Sequence, residues 1–338
     1  MKRLIILMCI FLVSCGAEEK YYDLNMTLGL SVPVSSENFR QASKEALEDL
    51  NVEDIRVMMQ WQHRQPNQGE YDFIASDQRF EFYKEHNLKP LVTLEMKYMP
   101  EWLNTLSQEE YLEANRLYFR KIISRYGDHI HMIQFGNEWD WEIDESLDLE
   151  TFIELSNILY EEAKAYDIPV SLASISSGGL QSLSYANGSI QNVYFKEGPL
   201  YTEAQIQSMQ DHIDQTVSYA KDIYSRCHYD YIDLHFYDDY WNWEIYLESI
   251  RVFSDKPIIA SEFGGPHPIM EPSDESYRAL QLYYYIRTLD QLNMEKAYYF
   301  KLYESFDPSE VYHPFSYLKT TNNKTTETYE MFKRFTNQ

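Results

Sequence analysis

Two stretches, HIHMIQFGNE (129–138) and KPIIASEFGG (256–265), decide how this chain is read. Each is a compact apolar run that ends on a glutamate, Glu138 after Asn137 in one and Glu262 before Phe263 in the other. Side chains alternate across a strand. Glu138 therefore shares a face with Gly136, Gln134 and Met132, and Glu262 shares one with Ala260 and Ile258. On the same reading Ile133, Phe135 and Ile259 face outward.

Six more apolar runs of this kind lie at 26–32, 55–61, 90–96, 169–174, 231–237 and 297–303, which makes eight. Helical periodicity fills the spaces between them. Phe152, Leu155, Leu159, Ala163 and Tyr166 fall on one face, as do Tyr111, Ala114, Tyr118 and Ile122. Pro272-Ser273-Asp274-Glu275 opens a helix with Ser273 as its cap, Leu282, Ile286 and Leu289 form its buried stripe, and 326–335 is the last helix. Strand–helix alternation repeated eight times predicts an α/β chain folded as a single (β/α)8 TIM barrel rather than an open sheet. Residues 176–204, after the fifth run, read as one long irregular loop over the barrel mouth. No Gly-rich phosphate loop is present.

The chain opens MKRLIILMCIFLVSC, with Lys2 and Arg3 ahead of an apolar run too short to span a bilayer. The ending resembles a bacterial lipobox, which implies cleavage before Cys15 and lipidation of its thiol. The expected organisation is a lipoprotein signal peptide at 1–14, a lipidated tether at 15–22 and a catalytic barrel at 23–338. An ordinary secretory signal with an incidental Cys15 is the alternative. The lipoprotein reading puts the protein on the cell surface or the periplasmic face of a membrane, held only by its lipid anchor. Beyond the signal only Cys15 and Cys227 remain, so no disulfide is expected and Cys227 reads as a buried thiol. No His/Cys cluster has metal-ligand spacing, and neither a metal nor a cofactor is expected. Twenty-nine basic against 54 acidic residues give a net charge of −25, which argues against nucleic acid as a partner. A monomer is expected.

In a (β/α)8 barrel, catalytic side chains sit at the C-terminal ends of strands. Strands four and seven face each other across the mouth, so Glu138 and Glu262 can converge. Two facing carboxylates are the minimum equipment for glycoside hydrolysis. Arg56 shares the inner face of strand two with Met58 and Gln60, near enough to pair with Glu262. In YIDLHFY (231–237), Asp233, His235 and Tyr237 share a face. Tyr237 can then hydrogen-bond the nucleophile, and His235 can orient it or the sugar. Trp61, Trp139, Trp141, Trp241 and Trp243 follow strand ends, where flat rings can make sugar platforms. The 30 tyrosines and 6 tryptophans fit a carbohydrate partner, although tyrosines in a large core also explain part of that excess.

With these residues in place, the chain resembles the clan A glycoside hydrolases, the retaining (β/α)8 superfamily of cellulases, mannanases, β-xylosidases and β-galactosidases. The resemblance implies Glu138 as acid/base, Asn137 as the amide that holds the sugar 2-hydroxyl, Glu262 as nucleophile and Arg56 as its support. QPNQGEYDF (65–73) and YMPEWL (98–103) resemble the clan's loops after strands two and three. The implied reaction is hydrolysis of a poly- or oligosaccharide by double displacement, with water as the only co-reactant. One departure stands out: AYYFKLYESF (297–306) lacks the Trp that floors the sugar site at strand eight in many members. Tyr299, Lys301 or Tyr303 would take that place, and Lys301, Lys97 and Arg64 would meet a substituted or acidic sugar. A glycan-binding lipoprotein without activity and a transglycosylase are the alternative functions.

Overall fold

The computed structural model describes residues 21–33, 36–144, 147–191, 193, 202–265, 274–304 and 316–337. The expected signal peptide, Cys15 and most of the tether lie outside the described residues.

Eight parallel strands form the barrel: β1 (Thr27–Ser31), β2 (Asp54–Gln60), β3 (Lys89–Glu95), β4 (Met132–Phe135), β5 (Val170–Ser171), β6 (Ile232–Phe236), β7 (Ile258–Phe263) and β8 (Lys296–Tyr299). Hydrogen-bonded neighbours run β5-β4-β3-β2-β1-β8-β7-β6. Parallel bridges Ser171–Tyr231 and Ile175–Leu234 join β5 to β6 and close the ring. The chain is therefore a single (β/α)8 TIM barrel, as strand–helix alternation predicts.

Parallel neighbours need long crossovers, and helices supply them. The crossover helices are Glu37–Asp49, Ile74–Glu85, Gln108–Tyr126, Leu149–Lys164, Gln210–Arg226, Trp243–Arg251 and Glu275–Gln291, and Glu327–Thr336 follows β8. Their ends are set by local chemistry. Ser107 and Glu110 form a capping box at Gln108–Tyr126, an arrangement that stabilises a helix start by about 1 kcal/mol. Phe152, Leu155, Leu159 and Ala163 are buried as their spacing predicts, whereas Tyr166 lies beyond its helix and is exposed.

Other expectations about helices and loops change as well. The helix Glu275–Gln291 is capped by Asp274, whose carboxylate accepts the N–H groups of Ser276 and Tyr277; Ser273 lies outside the described residues. Segment 176–204 is not one irregular loop, because its first part is the helix Ser177–Ala186. The Ser176 hydroxyl accepts the Gly179 N–H, and Leu180 and Leu183 bury the inner face of that helix. Among the described residues, no helix is long and apolar enough to cross a membrane.

The barrel interior is layered. At the bottom Leu91, Met132, Ile259 and Tyr298 make a small apolar cluster separate from the main core. Above it come Arg56, Thr93, Gln134, Asp233 and Ser261, all buried and polar. Ile258 and Ala260 belong instead to the main core. This overturns the expected facing of strand seven, since Ile259 points inward and its two neighbours point out. The cause is a register shift in β7. Asp233 pairs with Ile259 and His235 with Glu262, so two steps on β6 oppose three on β7. A bulge of this kind inserts one residue and re-aims the side chains after it.

Candidate active site

Glu138 and Glu262 reach the same point at the C-terminal mouth. His235 on β6 connects them: its Nδ1 lies 2.7 Å from Glu138 Oε1 and 3.8 Å from Glu262 Oε2. The two carboxylate oxygens are thus no farther apart than those two distances laid end to end. Glu262 accepts hydrogen bonds on both oxygens, from Arg56 Nη1 on one and from the Tyr237 hydroxyl on the other. Two donors on two oxygens suit an ionised carboxylate and fix its rotamer.

The middle layer holds these groups in place, and Gln134 is its hub. The Gln134 carbonyl accepts from Arg56 Nε at 3.1 Å, Arg56 Nη2 at 3.0 Å and Thr93 Oγ1 at 2.6 Å. Its amide donates to Asp233 Oδ2 at 2.7 Å and Ser261 Oγ at 3.1 Å. Asp233 in turn accepts the Ser261 N–H at 2.8 Å. His235 Nε2 contacts Ser174 Oγ at 2.8 Å and Ser261 Oγ at 3.0 Å. Every polar group of that layer has its partners, as burial requires.

Asn137 is oriented from two sides. Its side-chain oxygen accepts from Arg56 Nη2 at 2.7 Å, and its N–H donates to Glu142 Oε2 at 2.9 Å. With the oxygen committed, the amide NH2 is the part of the side chain left to donate. Gly136 makes this turn possible. Its φ is +71°, and an added Cβ would lie 2.6 Å from Glu142 Oε2.

Burial in an acid-rich setting governs protonation here. His235 is fully buried, which opposes its charge, yet the facing Glu262 and its bond to Glu138 raise its pKa above the ordinary imidazole value. Burial pushes the Tyr237 hydroxyl well above 10, with the Glu262 charge acting in the same direction, so it remains a donor. Burial raises Asp233 to about 6 and Glu142 to about 8, and it raises Asp140, with help from the Glu138 charge, to about 7. Glu95, ending β3, is raised by burial as well.

The structure brings Arg56, Asn137, Glu138, His235, Tyr237 and Glu262 together. Three of the expected tryptophans are instead packed into the core. Trp61 is buried, stacked on Tyr118 at 4.2 Å, with its ring nitrogen donating to Gln65. Trp139 is buried edge-on to Tyr224, and Trp243 is buried against Phe236. None of the three can act as a sugar platform, because their faces already pack the core. Trp241 is exposed at 59% and lies edge-on to Tyr240.

At strand eight, Tyr299 points away from the mouth and packs on Phe263 and Phe332. The aromatic on the site side is Phe300, edge-on to Tyr237 at 6.3 Å. Lys301 and Tyr303 line the cleft next to it. Sequence reading missed Phe300, which lies two residues after the inward-facing Tyr298. It also missed Gln134 as a hub and Glu142 as the clamp on Asn137. The Gly136 next to Asn137 was the available signal for that clamp.

No family profile matches the chain, and no curated protein matches it in sequence. Solved structures do match. An exo-β-1,4-mannosidase from an Opitutaceae bacterium aligns over 95% of this chain and 61% of its own, with a TM-score of 0.67 and 13% identity. A psychrophilic glycoside hydrolase family 10 endo-β-1,4-xylanase aligns over 92% and 96%, with a TM-score of 0.64 and 14% identity. A family 39 glycoside hydrolase from Bacteroides cellulosilyticus aligns over 93% and 63%, with a TM-score of 0.60 and 14% identity. The chain has the fold of these glycoside hydrolases. At such identity the likeness is one of fold, and the chain spans about three fifths of the mannosidase.

Proposed function

We propose that the protein is a retaining β-glycosidase of the clan A type, acting on a poly- or oligosaccharide. The observation that carries this reading is the imidazole of His235, which touches Glu138 and lies within 4 Å of Glu262. Retaining enzymes hold their carboxyl groups about 5–5.5 Å apart and inverting ones about 6.5–9.5 Å apart. The His235 distances reach the bottom of the inverting range only if the three atoms are collinear, so the spacing favours retention.

In the first step Glu262 attacks the anomeric carbon while the bond to the leaving oxygen breaks. The proton held on the Glu138–His235 pair passes through Glu138 to that oxygen. In the second step water attacks the anomeric carbon, Glu138 takes its proton, and the ester to Glu262 breaks. Asn137 offers its amide NH2 to a hydroxyl of the bound sugar, and Phe300 is the aromatic wall on the strand-eight side. We propose further that a lipid anchor at Cys15 holds the protein outside the cytoplasm, a reading supported by the lipobox-like ending of the opening apolar run; loss of labelled fatty acid from a Cys15→Ala variant tests the anchor.

The test of the chemistry is trapping with 2-deoxy-2-fluoro aryl β-glycosides followed by peptide mass spectrometry. The label is expected on Glu262. A label on another residue would overturn the assignment.

A further inference from the structure

We propose that a cationic cleft beside the acid pair receives an anionic substituent, a carboxylate or a sulfate ester, carried by the substrate sugar. This deepens the glycosidase reading and rests on it for the position of the reacting ring. The cleft, about 400 Å³ in volume, lies where β1, β2 and β8 end. Its walls include Ser31, Arg56, His63, Arg64, Arg79 and Lys301. Arg56 also holds Glu262, so the cleft adjoins the proposed nucleophile.

A chain with a net charge of −25 gathers three arginines here. Among the described residues Glu304 is the one acid on the cleft wall, and it accepts from the N–H of Thr321. Arg64 is only 6% exposed, donates to the His63 carbonyl at 3.2 Å, and has a buried Nε without a partner. Arg79 donates to the Met58 carbonyl at 3.4 Å, and its Nε likewise has none. Neither forms an ion pair with an acid among the described residues. Burial lowers the pKa of Arg79; nearby Tyr83 works against this, while Arg64 and Arg40 repel its charge and add to the lowering.

Buried charges are ordinarily paired, and grouped guanidinium forks match the planar oxygens of a carboxylate or sulfate. The Ser31 hydroxyl, buried on the same wall and unpartnered, offers one more donor. A neutral sugar would leave Arg64 and Arg79 without a counter-charge among the described residues. An anionic group supplies it.

The experiment compares three probes that share one ring: an aryl β-glucoside, the aryl β-glucuronide and the aryl β-glucoside 6-sulfate. Calorimetric binding to the full chain is expected to be at least tenfold tighter for one anionic probe than for the glucoside, and which probe wins separates carboxylate from sulfate. Arg64→Gln and Arg79→Gln should each cut that preference at least fivefold while leaving glucoside binding within twofold. Arg64→Lys keeps the charge and should retain part of it, which separates loss of recognition from loss of folding. Equal binding of all three probes, or an undiminished preference in both Gln variants, would overturn the proposal. Because the readout is binding, a preference without any hydrolysis would sink the glycosidase reading and leave the anion site standing.

Discussion

Tyr237→Phe tests the site most directly, because the ring stays and only the donor to Glu262 is lost. A hydrogen bond to a charged group contributes about 1.5–3 kcal/mol. Its effect on rate depends on the step. While Glu262 attacks, its charge disappears, so the hydroxyl helps little there. When the glycosyl ester breaks, Glu262 regains full charge as the leaving group, and the hydroxyl stabilises that developing charge. Hydrolysis of the intermediate should therefore slow by roughly 10- to 150-fold, at about 1.4 kcal/mol per factor of ten. With an aryl glycoside that has a good leaving group, kcat and KM should fall together and covalent intermediate should accumulate. Stopped-flow release of the phenol would show a burst equal to the enzyme concentration, and intact mass spectrometry would show the adduct. An unchanged kcat would refute the argument, and so would a loss confined to kcat/KM with no burst.

Two further outcomes follow from the backbone and the buried acids. Gly136→Ala combines a left-handed φ with a Cβ 2.6 Å from Glu142 Oε2, so urea unfolding should show a loss of about 2–4 kcal/mol. Gly69→Ala, at φ +81° with nothing within 4 Å, should cost only about 1–2 kcal/mol; equal losses would show that the clash is unimportant. Burial raises Glu142 to about 8, above the ordinary glutamate value of 4.5. The native state thus keeps a proton that the unfolded chain releases, and this contribution, complete below about pH 4.5, fades as the pH rises to 8. Asp140 and Asp238, both raised by burial to about 7, act in the same direction. Stability should fall between pH 5 and 8, by at most about 1.4 kcal/mol per pH unit for each proton. Glu142→Gln should flatten that slope, and urea midpoints at pH 5, 6.5 and 8 that decline as steeply in the variant would contradict it.

The barrel was legible because each parallel strand is buried on both faces and reads as a continuous apolar run. The two acids were legible because strand ends in this fold point at one mouth. What stayed hidden depends on neighbours rather than on residue type. Trp61 and Trp139 sit just past strand ends, yet both turn back under the helices, where Tyr118 and Tyr224 receive them. Gln134 resembles any polar residue within a strand until Arg56, Thr93, Asp233 and Ser261 converge on it from four other strands. Phe300 stayed hidden because its facing is set by Tyr298 in the bottom layer, which the sequence does not mark. Residues 176–204 read as irregular and too long for a plain connection, which suggested a loop, but Ser176 caps a helix there.

The bulge in β7 explains why the acid pair meets at all. Counted from the bottom layer, Ile259 points in and strict alternation would send Ser261 in and Glu262 out among the helices. Both neighbouring strands record the same extra residue: Asp233 to His235 spans Ile259 to Glu262, and Ala297 to Tyr299 spans Ala260 to Phe263. The insertion lets two consecutive side chains face the interior. Ser261 takes the lower position, bonded to Gln134 and His235, and Glu262 takes the upper one, bonded to Arg56 and Tyr237. His235 leans on Ser261 through one nitrogen and on Glu138 through the other. The irregularity of one strand therefore sets the aim of Glu262 and, through Ser261, the position of the imidazole between the acids.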